Sequence, residues 1–411
     1  MIIQVGALGF MTKTLTIGVY FFDTGGGHGS AAEATKAGIK SVVRQQHADL
    51  KVRILTQPIA EQAHPLIGKF IALYNHLARH HTTWIKYYYH LLHLLRLESN
   101  IYYGFYSSAL HDLLKAQRPT MIVAIHPMVA EALVYARNQL HMAPAVKIAV
   151  IVTDPNEALW HAWACRRAEL IIAPNEKVHR KLLEWGIKPD RIQVLGMPVH
   201  PKFLSPPVVP PEQFLTKLGL DPNVFTVCIN CGWAGNAHLI DTYIALKKCK
   251  RKVQAIFLSG HNQQLKELAL KKAKQTGIHT AVLPFYDQMS DLMSAADLMV
   301  TKAGGLTTYQ ALARRLPLVF DNTIEPMPME EPTMRMLVKC GMAKKIDKPT
   351  DIVKIVDSSP IHPKRNTPLP QTNELNLTEH SIFNIARALL HLCEPEIFPI
   401  NVEAASTAPH K

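Results

Sequence analysis

The sequence predicts an α/β protein made of two Rossmann-like halves, each a parallel sheet flanked by helices. Three observations carry this reading. Short β-branched and apolar runs recur along most of the chain, stretches of helical composition separate them, and a glycine-rich turn follows a strand candidate in each half. The chain has 411 residues, more than one ordinary hydrophobic core would use, and 48% hydrophobic against 19% charged residues excludes a largely disordered polymer.

The elements follow in order. Residues 1–11 are apolar but lack the basic start and small-residue cleavage site of a secretory leader, and they read as an N-terminal extension. Residues 15–22 form a β-branched and aromatic run that ends in the turn Asp23-Thr24-Gly25-Gly26-Gly27-His28-Gly29, and the Ala-rich residues 30–43 supply the helix behind it. Strand candidates recur at 121–125, 147–152, 170–173 and 192–195. The proline-rich stretch 198–211 suits neither helix nor strand and reads as a linker. A second series follows at 225–229, 254–258, 280–283, 298–301 and 316–320. Residues 358–376 turn to Pro, Ser, Thr and Asn, residues 379–393 regain helical spacing, and 394–411 look frayed. The expected division is therefore an N-terminal domain over 12–200, a linker over 201–212, a C-terminal domain over 213–357 and a tail with one helix over 358–411.

Charge and cysteine content narrow the partners. Lys+Arg 45 against Asp+Glu 32 leaves +13, which attracts nucleic acid, anionic lipid or nucleotide phosphates. No nucleic-acid-binding module accompanies the charge, so nucleic acid is set aside. No apolar run reaches the roughly 18 residues that a spanning helix needs. Six scattered cysteines suggest no disulfide framework and fit a reducing cytoplasm. Cys228 and Cys231 form a lone CxxC whose side chains fall on opposite faces of a strand, and neither HExxH nor Asp-x-Asp occurs, so no metal site is expected.

Two loops carry candidate chemistry. In the first, Gly25, Gly26 and Gly27 let backbone N–H groups approach a ligand at a helix N-terminus. His28 sits there at the carboxyl end of a strand, where open sheets bind ligands, and a near-neutral imidazole suits proton abstraction from an alcohol; capping the turn is its other reading. In the second, Thr301-Lys302-Ala303-Gly304-Gly305-Leu306-Thr307-Thr308 offers amides and hydroxyls to a phosphate, or simply joins strand to helix. Residues 64–104, with Trp84, Lys86, Tyr87, Tyr88 and Arg96, suit a bilayer interface, or a core helix with a solvated basic side. The run Lys247-Lys248-Cys249-Lys250-Arg251-Lys252 reads as a solvated helix end.

Taken together, Asp23 to His28, Val152-Thr153-Asp154, Ala173-Pro174-Asn175-Glu176, Gly196-Met197-Pro198-Val199, Thr301 to Thr307 and Pro326-Met327-Pro328-Met329-Glu330-Glu331 resemble the monogalactosyldiacylglycerol synthase and processive diacylglycerol glucosyltransferase family, relatives of the peptidoglycan UDP-N-acetylglucosamine transferase. The resemblance runs from about residue 15 to 343. It implies the GT-B architecture, two Rossmann-like domains facing a cleft, and inverting transfer of a hexose, galactose or glucose, from a UDP-sugar to a lipid hydroxyl, diacylglycerol above all. UDP-sugar would be a co-substrate and no metal cofactor would take part. The acceptor is expected at Gly25, Gly26 and Gly27, with His28 as base by loop position and resemblance, and at Trp84 and Tyr88 by the aromatic and basic character of their segment; Asp154 is the alternative base. The resemblance places the donor at Gly232, Phe285, Tyr286, Lys302, Ala303, Gly304, Gly305, Leu306, Thr307, Thr308, Gln310, Glu330 and Glu331. Two positions depart from the family: Gln310 stands where a ribose-binding Glu is usual, and Met329-Glu330 replaces Gly-Gln. The implied location is cytoplasmic, peripheral to an anionic membrane surface. The rival readings are a UDP-sugar 2-epimerase on the same architecture and a non-catalytic nucleotide-sugar or lipid-binding protein.

Overall fold

A computed structural model describes residues 14–24, 26–47, 50–59, 100–360 and 380–399, together with positions 69, 73, 76, 77, 84 and 87. Two wholly parallel six-stranded sheets carry the chain. The first contains β1 (Thr14–Phe21), β2 (Lys51–Pro58), β3 (Met121–Ala124), β4 (Lys147–Ile151), β5 (Leu170–Ala173) and β6 (Ile192–Val194), in the order β2-β1-β3-β4-β5-β6. The second contains β7 (Phe225–Asn230), β8 (Val253–Leu258), β9 (His279–Leu283), β10 (Leu298–Thr301), β11 (Leu318–Asp321) and β12 (Ala343–Ile346), in the order β12-β11-β10-β7-β8-β9. Strand order reverses direction between β1 and β3 in one sheet and between β7 and β10 in the other. A crevice opens at such switch points, beyond the carboxyl ends of the strands.

Two strands were not among the sequence-predicted elements. Along β2 the sequence KVRILTQP exposes Lys51 and Arg53 and leaves the other six residues partly covered, as befits an edge strand. β12, AKKI, is also an edge, with two exposed lysines between buried ends. Central strands are buried throughout, because helices cover both faces of a parallel sheet. The CxxC cysteines fall in different buried clusters, Cys228 in the one that includes Met299 and Phe320 and Cys231 in the one that includes Leu239 and Tyr243.

The chain's last described helix, α12 (Ser381–Cys393), returns to the first sheet and packs on α1 (Gly27–Gln46). Its buried stripe of Ile382, Ile385, Ala386, Leu389 and Leu390 has the spacing of an amphipathic helix. Gly38 permits the contact, since a Cβ there would lie 2.8 Å from Ile382 Cγ1 and 3.1 Å from the Ile382 carbonyl. Gly38→Val should therefore cost about 1–3 kcal/mol by overpacking, read as a lower midpoint in urea unfolding. The segment after α12 is not frayed throughout: Phe398 is buried, its ring lies edge-on to His47 at 4.8 Å, and its carbonyl is 2.8 Å from His391 Nδ1. One aromatic with a covered landing site is enough to order that short stretch.

The proline-rich connection is also better packed than its composition suggests. Phe203 is buried in a short 3₁₀ turn, and the Arg314 guanidinium donates to the carbonyls of Lys202 and Ser205 and to Ser290 Oγ. In the basic run, Lys247, Lys248, Lys250 and Lys252 are exposed, while Arg251 lies over the Phe225 ring at 4.8 Å. Among the described residues, no helix is long and apolar enough to cross a membrane.

Candidate active site

The first wall of the site is built where β1 and β3 diverge. Gly26 caps α1 with a left-handed backbone, φ 75°, and a Cβ there would lie 2.9 Å from Trp233 Cδ1 of the other half. Gly27 faces open space and Gly25 lies outside the described residues. The turn sets His28 in the first turn of α1. Its Nδ1 is 3.2 Å from Thr153 Oγ1, at the end of β4, and its ring stands edge-on to His126 at 4.6 Å, with Trp163 at 6.2 Å.

His126 escaped the sequence reading, although its place one residue beyond a strand candidate and directly before Pro127 is a helix-start signal. It caps the helix α3 (Pro127–Gln139): its Nδ1 accepts from the Met128 amide at 3.2 Å, so the ring proton sits on Nε2 and donates to Thr24 Oγ1 at 3.3 Å. That arrangement keeps His126 neutral. Burial pushes its pKa well below the ordinary value, and the nearby His28 pushes in the same direction.

Burial likewise lowers His28 to about 4, opposed in part by the Ile125 carbonyl. The near-neutral value expected from sequence is thus corrected, because two aromatic rings far away in sequence exclude water from the imidazole. At neutral pH, His28 is an uncharged ring able to accept a proton. A folded-state pKa below the unfolded value of 6.5 means stability that is complete above pH 6.5 and is lost as pH falls toward 4. Thermal midpoints should decline across that window, and His28→Gln should make the decline shallower. Asp154 is held differently: its Oδ2 accepts from Trp163 Nε1 at 2.7 Å, and burial raises its pKa.

The second wall is built where β7 and β10 diverge. After β10, Gly304 caps α9 (Gly305–Ala313) with no side-chain hydrogen bond at the cap. Amides of the first helical turn have no partner inside the helix, and the helix dipole adds positive potential there. Ala303 and Leu306 are buried in the core. Thr307 is partly exposed, whereas Thr308 is fully buried and its hydroxyl has no hydrogen-bond partner among the described residues. Lys302 Nζ pairs with Glu330 Oε1 at 2.7 Å, and the glutamate side chain is buried while the lysine side chain is nearly half exposed. Gly232, φ 75°, lies against Lys302: a Cβ there would be 3.4 Å from Lys302 Cε.

Several residues grouped by the sequence reading diverge. Glu331 turns outward to Arg335 Nη2 at 2.8 Å, whereas Glu330 turns to Lys302. Phe285 is exposed and stacks on His261 at 4.6 Å, which in turn stands edge-on to Trp233 at 5.1 Å. Tyr286 leaves that aromatic ladder for Phe214, at 6.3 Å, and donates to Gln288 Oε1. Gln310 is buried, and its Nε2 donates across the cleft to Ser30 Oγ at 3.1 Å. Trp84 is exposed, with Tyr87 6.4 Å away, ring to ring; Tyr88, Lys86 and Arg96 lie outside the described residues.

The halves meet loop to loop. A Cβ on Gly305 would be 2.9 Å from the Thr153 carbonyl, so the start of α9 rests on the residue whose hydroxyl faces His28. Asn156, buried two residues beyond Asp154, donates from Nδ2 to the Met329 carbonyl and Thr333 Oγ1, both at 2.8 Å, and its Oδ1 accepts from the Ala158 amide. Sequence reading missed it, because its partners across the cleft are more than 170 positions away. The arrangement places a neutral imidazole on one wall and a helix N-terminus without a side-chain cap on the other.

Residues 28–199 match the family model for monogalactosyldiacylglycerol (MGDG) synthase, and residues 226–320 match the glycosyltransferase family 28 C-terminal domain. Monogalactosyldiacylglycerol synthase 1, chloroplastic, from Arabidopsis thaliana is 25% identical over 81% of this chain, which spans 62% of that relative's length. Processive diacylglycerol beta-glucosyltransferase from Staphylococcus aureus is 26% identical over 71% of each chain. The crystal structure of Acinetobacter baumannii MurG shares the fold at a TM-score of 0.52 and 14% identity, covering 93% of this chain and 99% of that one. The expectation of an α/β, GT-B arrangement of two Rossmann-like domains holds.

Proposed function

From a chain that joins a monogalactosyldiacylglycerol synthase family domain to a glycosyltransferase family 28 C-terminal domain, we propose an inverting glycosyltransferase that moves a hexose from a UDP-sugar to a lipid hydroxyl, diacylglycerol being the acceptor class. The observation that supports this most directly is the meeting of the His28 turn with the start of α9 through Thr153. In the proposed reaction the acceptor oxygen attacks the anomeric carbon and the bond from that carbon to the β-phosphate oxygen breaks. Its electron pair leaves with UDP, and the acceptor proton passes to His28. Asp154 is the alternative base. Lys302 and the α9 amides stabilise the departing diphosphate, the part that a bound cation plays elsewhere, so no metal is assigned.

The aromatic ladder Trp233-His261-Phe285 offers a face for the uracil. Exposed Trp84 and Tyr87 and the net charge of +13 favour peripheral attachment to an anionic membrane surface on the cytoplasmic side. Incubation with UDP-glucose or UDP-galactose and vesicles containing diacylglycerol tests the proposal by UDP release and glycolipid mass. Glycolipid formed together with UDP supports it. Conversion of the nucleotide sugar to an epimer without a glycolipid product would instead assign a 2-epimerase, and nucleotide binding without turnover a non-catalytic protein.

A further inference from the structure

Glu330 is a carboxylate buried beside a site that attracts anions. Its Oε1 is 2.7 Å from Lys302 Nζ and lies 3.9 Å from where a Cβ on Gly304, the cap of α9, would stand. No side chain caps that helix start, and the buried Thr308 hydroxyl in its opening turns lacks a partner among the described residues. The loop bearing Glu330 is also tied to the opposite wall, since Asn156 holds the carbonyl of the preceding Met329 and the hydroxyl of Thr333. A lysine and a helix N-terminus side by side call for a negative charge, and the carboxylate supplies it from within the chain.

We infer that Glu330 is an internal placeholder anion: it occupies Lys302 until the diphosphate of the donor takes that cation over, and the displaced carboxylate then becomes free to accept hydrogen bonds from the sugar hydroxyls. The inference rests on the donor site assigned above and adds a competition within it. Two like charges cannot share one ammonium and one helix start without repulsion, so the carboxylate weakens nucleotide binding. The sugar recovers part of that loss, because its hydroxyls give the displaced carboxylate new donors. A glutamine at this position would retain the shape without the charge. The exchange therefore couples arrival of the diphosphate to exposure of the sugar-binding acceptor.

Calorimetric titration of the full chain with UDP and with UDP-glucose tests the exchange in wild type, Glu330→Gln and Lys302→Met, with circular dichroism to confirm folding. Glu330→Gln should bind UDP about tenfold more tightly, within the range common for two ligands coupled through one site. It should lose most of the affinity difference between UDP-glucose and UDP, and Lys302→Met should weaken both ligands. If Glu330→Gln does not fold, Glu330→Ala carries the same expectation for UDP. UDP affinity equal to or weaker than wild type in the folded Glu330 variant would overturn the placeholder while leaving the donor site standing. Absence of UDP binding to the folded wild-type chain would overturn both.

Discussion

Replacing His28 by Ala should lower turnover by about 10²–10⁴-fold, the usual contribution of a positioned general base, while leaving UDP affinity nearly unchanged. The separation follows from geometry, because His28 touches Thr153, His126 and the first-sheet wall, whereas Lys302 and α9 belong to the second sheet. The pH response sharpens the test. With its pKa held down to about 4, His28 remains a neutral acceptor through pH 5, so activity should stay level from neutrality and fall only as the ring protonates near 4. That acid limb should vanish from the residual activity of His28→Ala. A base at Asp154 would leave the limb in place, and near-normal turnover in a folded His28→Ala protein would remove His28 from the proton transfer.

Asn156→Ala should produce the second large effect. The side chain is buried, and its amide nitrogen satisfies the Met329 carbonyl and the Thr333 hydroxyl across the cleft. Leaving buried polar groups unpaired costs about 1–3 kcal/mol, so a closed state that depends on them should become correspondingly rarer, lowering kcat roughly 10- to 100-fold. UDP should still bind, because none of the α9 amides is disturbed. Small-angle scattering of the variant should show a larger radius of gyration, and an unchanged kcat would mean that closure does not depend on this amide.

How much of this was legible in the sequence depends on whether its cause is local. The strand from Thr14 to Phe21 and the glycine turn after it were legible because a β-branched run and its punctuation lie within a few residues. β10 was legible for the same reason, down to its bounds Leu298–Thr301. β2 and β12 were not, since edge strands carry lysine and arginine that resemble loop composition. At the site, the positions of His28 and the α9 loop followed from the rule that ligands gather beyond the carboxyl ends of parallel strands. What the sequence concealed were relations between distant residues: Gln310 with Ser30, Asn156 with Met329, and the rings of His126 and Trp163 that desolvate His28. The divergence of Glu330 from Glu331 was concealed as well, for adjacent residues at a helix start point in different directions and only the fold decides which one meets Lys302.

Direct displacement between the two walls of one cleft is the central claim, and it has a stereochemical signature. A single in-line attack by the lipid oxygen inverts the anomeric carbon, so an α-linked UDP-hexose must yield a β-linked glycolipid. Proton NMR of the purified product, made from UDP-glucose or UDP-galactose and diacylglycerol vesicles, reads that configuration from the coupling of the anomeric proton. The account requires the large trans-diaxial coupling of a β-glycoside, with one UDP released per linkage formed. An α-linked product would contradict it, because retention cannot arise from one displacement with His28 as the base.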